Sequence, residues 1–271
     1  MDPAHELTKD QNLDAIRENS TMLSDAVRLD LKAPVPTCPG WYSATLAAHI
    51  GEVQRFWAHI VRTRARGPGD LPESEFDSCP GLPAWYRAAD GGTADLNTIP
   101  ECLVEWSQAS TPQLLHAFEE TQPDESIWHW SGDNRPITHM RNQAMEATVH
   151  RWDAQNAQGA TSPIDPVIAL DGIAQHFEVQ IPATRHWNEY AKGQGETYHF
   201  HRTGGPEEWL VTFEGDNISV REEHAKGDIA IRGSAEDIFL WLWGRISPER
   251  LEVHGNAALL DQYRRLVPSS T

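Results

Sequence analysis

The spacing of apolar residues changes its period once along this chain of 271 residues, at the segment "AQGATSPIDP". Before that segment, apolar residues recur every three or four positions, which is typical of amphipathic helices. Beyond it, short runs such as "ETYHFHRT" and "EWLVTFEG" alternate between apolar and polar residues and end at glycines or charged turns, which is typical of strands. The change predicts two domains, residues 1–157 and residues 158–271.

The first domain is predicted to be a bundle of helices. One helix is expected from about Asn12 to Leu31, and a second follows "PVPTCPGWYS" with Ser43 as its N-cap. Two more are expected near residues 100–120 and 138–157, and four such helices suggest an antiparallel bundle. The turn-rich stretch "RARGPGDLPESEFDSCPGLP", after the second helix, is either disordered or a functional lid.

The second domain is predicted to be of the α+β class. Four runs read as a meander of strands: "ETYHFHRT", "EWLVTFEG", "NISVREEH" and "DIAIRG". The later segments "SAEDIFLWLWGR" and "NAALLDQYRRLV" return to helical spacing. The expected fold is therefore a helical N-terminal domain joined to an α+β domain whose sheet is rich in antiparallel pairs.

The charge of the chain limits its partners. Forty Asp and Glu residues against 22 Lys and Arg residues give a formal charge of −18, which repels phosphate backbones and anionic lipid surfaces. Neither nucleic acid nor a membrane is an expected partner. We expect a monomer or weak dimer that acts on a small molecule, and an anionic substrate must be held by a local cation or a metal.

The compartment is expected to be the cytoplasm. The first twenty residues lack a cationic start followed by an apolar run, and no later stretch approaches a membrane-spanning length. Cys38, Cys79 and Cys102 are odd in number and contain no Cys-x-x-Cys pair, so they suggest neither a disulfide framework nor a structural zinc site. We expect all three thiols to be reduced.

A carboxylate and an imidazole lie four residues apart in "NQAMEATVHRWDAQ". Glu146 and His150 therefore share one face of the predicted helix, where they can coordinate one ion or make an ordinary polar contact. The chain has a second pair with this spacing, Glu125 and His129, but "PDESIWHWSGD" reads as a turn or loop. Spacing alone leaves both interpretations of Glu146 and His150 open.

A further histidine, His49, lies on the apolar stripe of the second predicted helix and points inward. Taken alone, it is more often a hydrogen-bonded core residue than a ligand. Together with Glu146 and His150, it gives a possible ligand set of two imidazoles and one carboxylate. Bundles build metal sites from such inward-facing groups, and three ligands leave a fourth position open, as at a catalytic zinc ion.

Four segments together resemble the mycothiol-dependent maleylpyruvate isomerase family: "TCPGWYSATLAAHIGEV", "MRNQAMEATVHRWDAQ", "PIDPVIALDGI" and "LWLWGRISPERLEVHGNAALL". The resemblance covers nearly the whole chain in the right order. It implies a DinB-like helical bundle that holds a metal, and a C-terminal domain like that of sterol carrier proteins. Two departures, Tyr42 before Ser43 and Thr45 at a place that is often acidic, touch the helix cap and the substrate contacts but no ligand.

The resemblance also implies the site and the cofactors. His49, Glu146 and His150 become the three ligands of a divalent metal, zinc, and mycothiol fills the open position as a thiolate. Three functions stay open: transfer of mycothiol to a small metabolite, isomerisation of a maleylpyruvate-type substrate, and a non-catalytic thiol or metal sensor. Transfer is favoured because the long segment from Arg64 to Asp95 and the many Trp residues leave room for a larger substrate.

Other polar residues have a functional and a structural interpretation. By resemblance Arg245 binds the substrate, although a cation after Gly244 can equally cap a helix. Asp153 either accepts a hydrogen bond from a ligand histidine and so orients its ring, or forms an ion pair beside it. His199 and His201 alternate on one strand face and either line a cleft or lie on the surface. Cys38 lies in a turn, and the family brings its thiol from outside.

Overall fold

The computed structural model describes residues 6–70, 79–187 and 189–267. Within them the chain forms two compact units, one from Leu7 to Ser162 and the other from Pro163 onward together with Glu6. No described helix combines the length and the apolar character needed to cross a membrane. The predicted fold class is confirmed: the first unit is helical and the second combines helices with a five-stranded sheet.

Six α-helices build the described part of the first unit. They are α1 (Lys9–Leu29), α2 (Ser43–Thr63), α3 (Leu82–Asp90), α4 (Leu103–Gln108), α5 (Ser110–Glu119) and α6 (Pro136–Ala157). The helix expected near residues 100–120 is thus two helices, because Pro112 has no amide hydrogen to donate to Gln108. Residues 71–78 of the predicted lid lie outside the described residues, whereas its end begins α3.

The long helices pack through the apolar faces that their sequences predict. A capping box starts α1, since the Thr8 hydroxyl accepts from the Gln11 amide and the Gln11 side chain accepts from the Thr8 amide. The buried face of α1, with Ile16 and Val27, contributes to the core between α1 and α6. Helix α2 packs against α4, α5 and α6, so its inward face meets α6 at the level of the predicted ligands.

The second unit begins with α7 (Pro166–Gln175), a π-helix (His176–Gln180) and α8 (Ile181–Trp187). The sheet has the order β3-β2-β1-β4-β5. Its strands are β1 (Gly193–Arg202), β2 (Glu208–Gly215), β3 (Asn217–Arg221), β4 (Ile229–Gly233) and β5 (Glu252–Gly255). Helices α9 (Ala235–Leu242) and α10 (Ala258–Leu266) complete the unit.

The sheet is mixed rather than a simple meander. Three of its four strand pairs are antiparallel, as predicted, but β4 crosses over to pair in parallel with β1. Strand β5 was not predicted, because four residues are too few to show an alternating pattern. One face of β1 buries Tyr198 and Phe200 in the core, and the opposite face therefore carries His199 and His201.

The expectation that all three cysteines are reduced is wrong in this structure. Cys79 and Cys102 form a disulfide with a Cα–Cα distance of 5.7 Å, and Cys38 is free and buried. The two bonded residues are 23 positions apart, and no spacing rule connects cysteines at that separation. The bond joins the segment before α3 to the residue that precedes α4.

We predict that the purified chain, denatured without reductant, has one reactive thiol rather than three. Reduction should expose all three and lower the free energy of unfolding by about 3 kcal/mol, because the bond closes a loop of moderate length in the unfolded chain. Thiol titration and urea unfolding measure the two effects. The double variant Cys79→Ser/Cys102→Ser should be insensitive to reductant. Three reactive thiols in freshly prepared protein would contradict the disulfide.

Candidate metal centre

Helices α2 and α6 bring three predicted ligands together. One donor atom each from His49, Glu146 and His150 lies within 4.8 Å of the other two. The Glu146 Oε2 atom is 3.4 Å from His150 Nε2 and 3.9 Å from His49 Nε2. The second of these distances is too long for a hydrogen bond. Two imidazole nitrogens therefore face one carboxylate oxygen across the two helices.

The other nitrogen of His150 is held by Asp153. His150 Nδ1 lies 3.0 Å from Asp153 Oδ2, and Asp153 also accepts from Thr37 Oγ1 at 2.6 Å and from the Cys38 thiol at 3.6 Å. Since a carboxylate only accepts when ionised, the proton of His150 sits on Nδ1. Loss of the second ring proton, on Nε2, would free a lone pair on the side of Glu146 while Asp153 keeps holding Nδ1, as in the carboxylate–histidine pairs that orient metal ligands.

A tyrosine that the sequence analysis missed holds His49. The hydroxyl of Tyr86, on α3, lies 3.3 Å from His49 Nδ1 and is also hydrogen-bonded to Glu52. Burial and the neighbouring Glu52 carboxylate raise the pKa of Tyr86, so its hydroxyl stays protonated and donates a hydrogen bond to Glu52. The oxygen is then free to accept from Nδ1 of His49, which leaves the Nε2 lone pair for a ligand. Trp41 packs 5.0 Å from the His49 ring.

The electrostatics of the three groups favour a bound cation. Burial lowers the pKa of His49, so this imidazole is neutral near neutral pH. Burial raises the pKa of Glu146, but the neighbouring imidazoles of His150 and His49 outweigh burial and hold the pKa far below its usual range. Burial lowers the pKa of His150, yet Asp153 and Glu146 outweigh it and raise the pKa. A metal must therefore displace a proton from His150, and its affinity should fall as the pH falls.

The residues present fit a divalent metal ion. His49 Nε2 is buried and has no hydrogen-bond partner among the described residues, although an unsatisfied buried nitrogen costs about 1–3 kcal/mol. A metal ion between His49, Glu146 and His150 would satisfy it. Two imidazoles and one carboxylate are a ligand set of zinc enzymes, with a fourth position left for water or substrate.

The competing Glu-x-x-x-His pair does not assemble in this way. Glu125 forms an ion pair with Arg64 at 3.0 Å, and His129 Nδ1 lies 2.7 Å from the hydroxyl of Ser131. Both lie in the irregular segment between α5 and α6, as the turn-forming residues around them predict. Helical context thus separates the two pairs.

Arg151 and Arg245 make structural contacts. The Arg151 side chain donates to Asn19 of α1 and to Ser162. Arg245 follows α9, where its amide donates to Leu240 at 2.8 Å and its guanidinium donates to the Trp243 carbonyl at 2.8 Å. These are contacts of a helix end, one of the two interpretations of Arg245, and its role in substrate binding stays a prediction.

Two family models match the chain in sequence order. The model described as the mycothiol maleylpyruvate isomerase N-terminal domain covers residues 13–155, and the model of the C-terminal domain of the same protein covers residues 167–262. The chain belongs to the mycothiol maleylpyruvate isomerase family. The resemblance found in the four sequence segments is confirmed. The N-terminal match includes all three residues of the cluster.

Solved structures with this family's fold agree. The crystal structure of a mycothiol-dependent maleylpyruvate isomerase matches with a TM-score of 0.60 at 16% identity, covering 92% of this chain and 94% of that chain. A histidine-to-alanine mutant of such an isomerase matches with a TM-score of 0.57, at the same identity and coverage. At this identity the likeness shows a shared fold. Among curated protein sequences, none matches this chain.

We predict that His150→Ala holds one equivalent of divalent metal less than the unaltered chain, because it removes one of three ligands. Elemental analysis of dialysed protein measures the content. The control is His139→Gln, which changes a buried histidine of the same helix outside the cluster and keeps an amide to donate to Ile127. Unchanged metal content in His150→Ala would remove this residue from the ligand set.

We predict that Asp153→Asn and Tyr86→Phe each weaken zinc binding by about 10–100-fold without abolishing it, because the first removes the negative charge that holds His150 and the second removes the hydroxyl that holds His49. Competition with a chromophoric chelator measures the affinity. Phe keeps the buried ring of Tyr86, so packing is retained. A zinc affinity within twofold of that of the unaltered chain in both variants would show that Asp153 and Tyr86 do not orient the ligand imidazoles.

Proposed function

We propose that this chain is a metal-dependent enzyme that uses mycothiol to act on a small-molecule electrophile at the cluster of His49, Glu146 and His150. The observation that carries the proposal is the convergence of three donor groups, one of which is the unsatisfied Nε2 of His49. Membership of the mycothiol maleylpyruvate isomerase family supports the choice of thiol. The three-residue ligand set supports a site with one position open to that thiol.

Each residue of the cluster has a defined task. His49 and His150 offer Nε2 lone pairs, which Tyr86 and Asp153 direct inward. Glu146 remains ionised and balances the charge of the cation, and its lowered pKa makes it a poor general base. When bound, zinc holds a thiol as its thiolate near neutral pH, whereas a free thiol with a pKa of about 8.5 is mostly protonated.

Isomerisation is the reaction that we propose first. The mycothiol thiolate forms a bond to one carbon of the double bond of an unsaturated dicarboxylate, and the π bond breaks as its electron pair moves onto the conjugated carbonyl group. The remaining carbon–carbon single bond then rotates. The carbon–sulfur bond breaks again, so the double bond is restored and the thiol is recovered. The family and the isomerase of similar fold carry this activity in their names, and both domains of the family are present here.

Transfer of mycothiol to a metabolite is the second candidate, and the structure weakens the argument that favoured it. Part of the segment between Arg64 and Asp95 is helix α3, whose Leu82 and Trp85 side chains are buried in the core. Trp57 and Trp106 are buried as well. These groups fill the interior of the helical unit rather than leave room for a larger substrate.

The stoichiometry of mycothiol separates the candidates. With one equivalent of mycothiol per hundred equivalents of maleylpyruvate, we expect isomerisation to continue for many turnovers per thiol. A transferase would stop after one equivalent and leave a mycothiol adduct that mass spectrometry detects. A sensor would bind mycothiol and form no product. Only the first result supports the proposed reaction, and His150→Ala serves as the inactive control.

Arg245 tests whether the second unit contributes to substrate binding. If its guanidinium holds a carboxylate, Arg245→Lys should lower kcat/KM by about tenfold or more, because losing one charge-assisted hydrogen bond costs about 1.5–3 kcal/mol. Metal content should not change. If Arg245 only ends helix α9, Lys should serve equally well, since the amide that bonds to Leu240 is retained. Wild-type kinetics in this variant would assign Arg245 to the helix end alone.

A further inference from the structure

A second group of histidines converges in the C-terminal unit. His199 and His201 alternate along β1 and point to the same face of the sheet. Glu208 of β2 lies directly opposite His201 in the antiparallel register. His224 follows the end of β3 and returns to the same place. Three imidazoles from two separate segments thus surround one carboxylate.

The distances within this group are short. Glu208 Oε2 lies 2.7 Å from His199 Nε2 and 2.7 Å from His224 Nδ1, and Glu208 Oε1 lies 3.1 Å from His201 Nδ1. One donor atom from each of the four residues lies within 4.8 Å of all the others. Zinc binds imidazole nitrogens and carboxylate oxygens at about 2.0–2.2 Å. Only small side-chain movements are therefore needed for the four donor atoms to coordinate one ion.

The surroundings suit a cation that enters from solvent. A pocket of about 370 Å³ opens beside Glu208 and His224 and is also lined by Glu207, Glu222 and Glu223. Its carboxylates attract cations and raise their local concentration. Burial raises the pKa of Glu208, but hydrogen bonds from His224 and His199 outweigh burial and lower the pKa, so the carboxylate is charged. The His224 side chain is 82% exposed and can exchange water for an ion.

We infer that His199, His201, Glu208 and His224 form a second site for a divalent transition metal, separate from the site of the proposed reaction. Imidazole-rich sets suit zinc, copper and nickel rather than magnesium or calcium. Four protein ligands fill a tetrahedral ion, so this site is closed and structural, whereas the site at Glu146 keeps one position open.

The bound ion would hold the segment between β3 and β4 against the sheet. His224 belongs to the segment between β3 and β4, which must cross from one side of β1 to the other to make the parallel pair. A metal that links His224 to β1 and β2 fixes the start of this crossover. Metal binding to the folded state should therefore raise the melting temperature of the chain.

Zinc titration of the metal-stripped, full-length chain tests this inference. Calorimetry should find two equivalents per chain, and His201→Gln and His224→Ala should each lower the affinity of one equivalent by at least about tenfold, as loss of a ligand requires. The matched control is His254→Gln, which changes an exposed histidine on the same face of the sheet and should keep both equivalents. His224→Ala with unchanged binding of both equivalents would overturn the second site.

The His150→Ala background separates this inference from the proposed function. That variant should still bind one equivalent of zinc and should still melt at a higher temperature when zinc is added. The double variant His150→Ala/His224→Ala should bind none and show no zinc-dependent shift. Because His224 is exposed, its loss leaves the core intact. No zinc-dependent shift in His150→Ala would show that the four residues form only a hydrogen-bonded cluster.

Discussion

The negative charge of Glu146 is the constraint on which the site of the helical unit depends. Burying a carboxylate is costly unless cations or hydrogen bonds surround it, because its charged form loses the stabilisation that water provides. Here two helices each place an imidazole against the same oxygen, and each imidazole is held from behind by a further group. The packing of α2 on α6 and of α3 beside α2 keeps these groups in position. A divalent cation bound at this place would complete the compensation of charge.

Residues that are neighbours in a regular element could be predicted from the sequence. The four-residue spacing of Glu146 and His150 and the inward position of His49 follow from helical geometry alone. The contact between Asp153 and His150 could be predicted for the same reason, since Asp153 lies three residues after His150 on α6. Their joint role required the family resemblance, because spacing does not show which helices pack together.

Residues that meet only through the fold could not be predicted. Tyr86 reaches His49 from helix α3, which was not predicted although Leu82, Tyr86 and Ala89 have helical spacing. The partner of Cys79 lies across α3, and no local pattern identifies it. In the second unit, strand alternation placed His199 and His201 on one face, but Glu208 and His224 join them only through strand register and a turn. The parallel pair of β1 and β4 depends in the same way on a crossover.

The two histidine clusters differ in the number of ligands, and this difference gives them different chemistry. Three candidate ligands at Glu146 would leave a place for an external sulfur, while four candidate ligands at Glu208 would leave none. The measurement that tests the central claim most directly is X-ray absorption at the zinc edge on the His224→Ala variant loaded with one equivalent of zinc, because its second site is weakened and the ion should occupy the first. The account predicts nitrogen and oxygen neighbours alone before mycothiol is added, and one sulfur neighbour at about 2.3 Å afterwards. An unchanged spectrum in saturating mycothiol would contradict it.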